Sequence, residues 1–189
     1  LTTTESNTTT ILGPLTIIGR DLIEADANRK LDRGLYTIPS NEANVAVLRL
    51  NFSVAGEGVN ITVIKLNRNA PSTVTAASDT HMLNVRLFND TNSDGRFSSA
   101  DTQIGPALNS STSNVYSLTG FQYNVTATGV NTLFVVLNTS DVSWNPDVAF
   151  NFTLAANADI DSIGAVTATN ITELFTTALT NTTRITQTG

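Results

Sequence analysis

Residues 43–66 read ANVAVLRLNFSV, AGEG, VNITVIKL, and this stretch decides the fold. Over 43–54 the side chains alternate. Ala46, Leu48, Leu50, Phe52 and Val54 fall on one side, and Val45, Val47, Arg49, Asn51 and Ser53 on the other. A period of two is that of a strand whose successive side chains point to opposite faces. Ala55-Gly56-Glu57-Gly58 supplies a turn, and Val59–Leu66 (VNITVIKL) returns. The pattern predicts a β-hairpin.

Working outward, residues 15–18, 82–88, 114–127, 131–138, 148–155, 164–172 and 182–187 carry further strand signals, separated by polar turns. Residues 21–33 (DLIEADANRKLDR) are the one charged stretch with a weak helical face, ended by Gly34. No repeat of fixed period is present. Short strands with polar turns predict an all-β chain, an antiparallel β-sandwich of jelly-roll or Ig-like type over residues 15–189. Residues 1–14 are Thr-rich up to Leu12 and run into Gly13-Pro14, which predicts an extended N-terminal arm.

Thr (31), Asn (21) and Ser (15) together make 67 of the 189 residues, whereas Lys occurs only at Lys30 and Lys65. Thr suits a pleated surface because its branched Cβ packs there. A polar surface built this way fits an extracellular β protein. The net charge of −6 argues against a nucleic-acid partner, which needs a basic stripe. No apolar run approaches the roughly 18 residues of a membrane span, so no membrane insertion is expected. Cys is absent, so stability must come from packing, a metal or assembly. The chain starts at Leu1, consistent with a mature product whose targeting segment has been removed.

Residues 90–101 (DTNSDGRFSSAD) have the spacing of a calcium loop. Side-chain oxygens of Asp90, Asn92, Asp94, Ser98 and Asp101 fall at loop positions 1, 3, 5, 9 and 12, with Gly95 at 6 and the Arg96 carbonyl at 7. Calcium takes 6–8 oxygen ligands in flexible geometry, which this set can supply. The loop resembles the EF-hand and dockerin pattern with Asp at the last place, but strand-like residues precede it. A structural Ca2+ is expected, with Phe97 anchoring the loop to the core.

Asn-X-Ser/Thr sequons occur at Asn7, Asn51, Asn60, Asn89, Asn109, Asn124, Asn138, Asn151, Asn170 and Asn181, against about five expected by chance. Within strands, as at Asn60-Ile61-Thr62, Asn and Thr share a face and the apolar residue takes the other. N-linked glycans are expected at all of these except Asn89, where a glycan would crowd the loop.

Catalytic signatures are missing. His81 is the sole His and has no nucleophile motif beside it. The glutamates are scattered, and no glycine-rich phosphate loop is present. Few aromatics, with Trp144 the single Trp, argue against a sugar-binding platform. No enzymatic activity is expected.

The loop, the sequons, the absent Cys and the Thr-rich start together resemble the archaeal donor-strand filament subunits of threads, bundling pili and cannulae, similar in design to TasA-type biofilm fibre proteins. The resemblance implies a sandwich completed by an extended segment of the next copy. The donor would be Thr2–Leu12, with Thr2, Thr4, Ser6, Thr8, Thr10 and Leu12 along it. It also implies a homopolymer on the cell surface. The competing expectation is a monomeric calcium-stabilised adhesion or carbohydrate-binding module.

Overall fold

The computed structural model describes residues 12–20, 30–32, 35–69, 75–126, 131–140, 147–154, 157–170, 173–175 and 179–186. The expected donor residues Thr2–Thr10, the sequon at Asn7, most of the 21–33 stretch and Trp144 lie outside them.

Among the described residues there are fifteen strands and one 3-10 turn (157–159). The strands are β1 (Leu12–Arg20), β2 (Lys30–Asp32), β3 (Leu35–Pro39), β4 (Val45–Gly56), β5 (Val59–Asn69), β6 (Thr75–Ala76), β7 (Met82–Asn89), β8 (Thr102–Leu108), β9 (Val115–Leu118), β10 (Tyr123–Val125), β11 (Asn131–Thr139), β12 (Asp147–Leu154), β13 (Ile160–Gly164), β14 (Glu173–Phe175) and β15 (Leu179–Thr186). They form two sheets. The first runs β14-β1-β4-β11-β7-β8; the second runs β10-β5-β12-β15-β3-β2, with β9 and β13 also on β5 and β6 on β12. Pairing is antiparallel except for β1–β14, β12–β6 and β15–β3. The all-β expectation of two packed sheets holds.

The hairpin expected at 43–66 does not form. β4 lies in the first sheet and β5 in the second, so the chain arches between sheets at Glu57-Gly58. Leu48, Leu50, Phe52 and Val54 then meet Val59, Ile61, Ile64 and Leu66 in one core. A hairpin would place the two apolar rows side by side, and the arch places them face to face. Both bury the same side chains, so alternation does not choose between them. Inward residues of β7, β11 and β12 complete the core: Val85 and Leu87, then Leu133, Val135 and Leu137, then Val148, Phe150, Phe152 and Leu154. Burying each such side chain favours folding by roughly 1.5–3 kcal/mol.

Other boundaries shift for local reasons. Lys30–Asp32, expected at the end of a helix, is a strand paired with β3. The single strand expected over 114–127 is two, β9 and β10, broken where Gly120 takes φ +73°. Of the strand expected over 164–172, Gly164 ends β13 and residues 165–170 form a turn and its return, with Ala168 at φ +53°. β8 carries no alternation signal because it is a largely exposed outer strand, kinked at Gly105 (φ +70°) and Pro106. A missing proline N–H and a kink hinder further pairing along such an edge. Leu12, expected in the donor strand, and Gly13-Pro14, expected at the end of the arm, instead belong to β1, where Leu12 pairs with Gly56 of the same chain and the register is irregular between Leu12 and Leu15.

Candidate functional site

The loop between β7 and β8 lies against the back of the first sheet. Phe134 and Val136 alternate along β11 with core residues, so they point away from the sandwich interior. With Ala46 they form a second apolar cluster, covered by Phe88 and by Phe97 of the loop. The Phe97 ring meets Phe88 edge-on at 5.1 Å and Phe134 at 6.0 Å. The expected anchoring role of Phe97 is realised, on the outer face.

The acidic ends of the loop are buried and its middle is open. Asp90 and Asp101 are each 8% exposed, whereas Asn92 and Asp94 are exposed. Gly95, at φ +71°, donates its N–H to Asp90 Oδ2 at 2.9 Å. Asp94 Oδ1 accepts from Arg96 N–H at 2.7 Å. Asp101 accepts from the amides of Thr91 (3.2 Å) and Ser98 (2.7 Å). Ser98 Oγ accepts from Ala100 N–H at 3.2 Å, and Asn92 Oδ1 from Asp94 N–H at 3.3 Å. The backbone thus holds the expected ligands Asp90, Asn92, Asp94, Ser98 and Asp101 in one loop, with the Arg96 carbonyl between them. One oxygen stands apart: Asp90 Oδ1 is buried without a hydrogen-bond partner. A buried carboxylate oxygen in that condition is costly, and a hard cation would satisfy it. The donor set fits calcium on that ground. Among the described residues, no three His, Cys, Asp or Glu side chains gather as a metal cluster, so amide, hydroxyl and carbonyl oxygens would have to complete the shell.

The sequons divide by exposure. Asn109, Asn124 and Asn170 are exposed, and Asn51, Asn60, Asn89, Asn138 and Asn151 are half-buried. Asn124 donates through Nδ2 to Asn60 Oδ1 at 2.9 Å, so two sequons face each other across β10 and β5. Asn138 Oδ1 accepts from Asn44 N–H and from Arg86 Nη2, both at 2.9 Å. Its neighbour Thr139 is 4% exposed. Asn51 Oδ1 accepts from Thr132 Oγ1 at 3.0 Å, and Asn109 Oδ1 from Asn84 N–H at 2.9 Å. Asn181 stands in β15 opposite Phe152.

A second polar cluster was not foreseen from sequence. Asp79 accepts from Arg68 Nη1 (2.6 Å), Ser111 N–H (2.9 Å), Ser111 Oγ (2.8 Å) and Tyr116 Oη (2.7 Å). Burial pushes the Asp79 carboxyl up, but these donors outweigh it and hold the group below its ordinary value. His81 sits nearby. Its Nδ1 accepts from Ser78 N–H at 2.9 Å, and burial followed by the Arg68 charge lowers its pKa. The cluster joins the loop before β7 to β5 and β9, and His81 serves there as a neutral acceptor.

Among the described residues, no helix is long and apolar enough to cross a membrane. No protein-family model matches the chain. No curated protein is significantly similar to it. Among solved structures it is similar to the CssB subunit complemented with donor strand from the CssA subunit of enterotoxigenic Escherichia coli colonization factor CS6. The identity is 7%, the TM-score 0.37, and the match covers 80% of this chain and 94% of that one. A TM-score of 0.37 is too low to transfer a strand order, a groove or a partner from that subunit to this chain.

Proposed function

We propose that the chain is a structural subunit of an extracellular surface filament. Each copy lends residues 2–11, the segment ahead of β1, as a strand to the next, calcium occupies the 90–101 loop, and glycans decorate a subset of the sequons. The observation that supports this reading is how the chain enters the sandwich. Leu12 pairs with Gly56, the last residue of β4, so β1 begins at one end of the first sheet. β1 also lies next to the outer strand β14, which pairs with it only over Leu15–Ile17. A Thr-rich segment long enough for a strand and free of Pro therefore precedes a strand near a sheet edge. An added strand gains its affinity from backbone hydrogen bonds, with alternate side chains filling pockets.

Calcium in this reading is structural. Asp90, Asn92, Asp94, Ser98 and Asp101 would hold it with the Arg96 carbonyl. It would supply positive charge to the buried Asp90 and Asp101 and fasten Phe97 over the outer apolar cluster.

Deletion of residues 1–11, which spares β1, is the test. Electron microscopy of the purified full chain should show filaments, and the truncated chain should remain a folded monomer. Filaments from the truncated chain would sink the donor-strand reading. A full chain that stays monomeric at all concentrations would favour a calcium-stabilised adhesion module.

A further inference from the structure

The loop is braced by a residue outside it. Arg49, on β4, donates from Nη1 to the Gly95 carbonyl at 2.8 Å. Arg96 N–H donates to Asp94 Oδ1 at 2.7 Å. The Gly95 carbonyl and the Arg96 amide are the two ends of one peptide plane, so that plane is held from both sides. The plane before it is held too, because Gly95 N–H donates to Asp90 Oδ2. Gly95 adopts φ +71°, and a Cβ there would stand 3.3 Å from Arg49 Nη1. The glycine therefore serves both the turn and the approach of the guanidinium. The next carbonyl along is that of Arg96, the backbone ligand expected at position 7. Its direction depends on the plane that Arg49 fixes.

We propose that Arg49 is a positioning residue for cation binding: it fixes the Gly95–Arg96 peptide so that the Arg96 carbonyl is available to a cation held by Asp90 and its loop partners, without touching the cation. The inference rests on the calcium reading above. A second observation supports it. Among the described residues three buried side-chain polar atoms lack a partner, and two of them are Arg49 Nε and Asp90 Oδ1. Those two side chains grip Gly95 from its carbonyl and amide sides. The positive charge of Arg49 opposes a nearby cation, so geometry and charge predict opposite signs and can be separated.

The test is calcium titration calorimetry on the full chain, with melting temperatures taken in calcium and in chelator. Arg49→Met removes donor and charge and should weaken calcium binding about tenfold, as loss of outer-shell partners does. Arg49→Lys keeps one donor and should recover most of that loss. The gain in melting temperature on adding calcium should shrink in Arg49→Met. A purely structural role would lower both melting temperatures equally and leave the gain unchanged, which would overturn the proposal. Equal or tighter calcium binding by Arg49→Met would also overturn it, the latter showing that charge repulsion dominates. Should Arg49→Met not fold, Arg49→Gln takes its place with the same expected loss. A wild-type chain that binds no calcium at all would refute the calcium reading itself, and the inference with it.

Discussion

Tyr123, in β10 of the second sheet, and Asp90, the first loop residue after β7 of the first sheet, donate to the same acceptor. The Tyr123 hydroxyl reaches the Thr132 carbonyl at 3.4 Å, and the Asp90 backbone N–H reaches it at 3.1 Å. The first residue of the proposed cation loop is thereby tied to a contact that bridges the two sheets.

That relationship makes Tyr123 a reporter. Burial first, and then the negative charge of Asp90, push its hydroxyl up to about 12, against a smaller opposing effect of the bond to Thr132. A folded value above the ordinary 10.0 means that the Tyr123 contribution to stability is complete below about pH 10 and is lost as pH rises through about 12. The tyrosinate absorbance of wild type minus Tyr123→Phe should rise near that upper value. Calcium at Asp90 should lower the midpoint by offsetting the carboxylate charge. An unmoved midpoint in saturating calcium would place any bound cation elsewhere.

Chelation should lower the melting temperature. At free calcium about 100-fold above Kd, mass action contributes roughly 2.7 kcal/mol. For a chain of this size that is about 5–10 °C. Asp90→Ala and Asp94→Ala should each abolish most of the gain. Retention of the full gain in both variants would refute the loop as the site.

Asp79 is expected to matter more than a surface acid does. Asp79→Ala leaves the hydroxyl of fully buried Tyr116 without its acceptor, and should cost about 2–3 kcal/mol. Arg68→Met should cost less, since a partly exposed ion pair contributes little. The Asp79 carboxyl is held below its ordinary value, so its stabilisation is present above that value and lost as pH falls through the lowered one. Thermal melts of both variants across acid pH check the order and the sign.

Glu57, in the arch between β4 and β5, clasps the turn after β13. Its Oε2 accepts from the amides of Val166 (2.9 Å) and Thr167 (3.1 Å), and Oε1 from Thr167 Oγ1 (2.6 Å). The Thr167 hydroxyl is the main cause of its lowered pKa, helped by the two amides and resisted by desolvation. The clasp is therefore complete above the ordinary carboxylate range and released as pH falls through the lowered value. In Glu57→Gln, the Val166 and Thr167 amides should exchange hydrogen faster than in wild type at neutral pH. Unchanged protection would mean that the turn holds without the carboxylate.

Glycan occupancy should follow exposure if the transferase meets the folded domain. Glycopeptide mass spectrometry should then find Asn109, Asn124 and Asn170 modified ahead of Asn138, which is half-buried and held through its Oδ1 by Asn44 and Arg86. Equal occupancy at Asn138 and Asn124 would show that folding does not gate the modification.

The sequence by itself determined the periodic content of the protein. Alternation over 43–54 and the apolar and β-branched content of 59–66, 82–88, 131–138 and 148–155 marked strands, because strand preference is a local property. The loop spacing from Asp90 to Asp101 was equally local, whereas the outer apolar cluster that receives Phe97 emerged only from the packing of β11 and β4. Only the tertiary structure decided which strands became neighbours. β4 and β5 could bury the same rows in one sheet or across two, and the difference lies in contacts far apart in the chain. The same holds for the Arg49 brace on Gly95, the Asp79 cluster and the Glu57 clasp. They join residues from 11 positions apart, as Arg68 and Asp79, to 110, as Glu57 and Thr167, with Arg49 and Gly95 46 apart. Such pairings leave no periodic trace, because they depend on where the packed sheets bring distant backbone groups together.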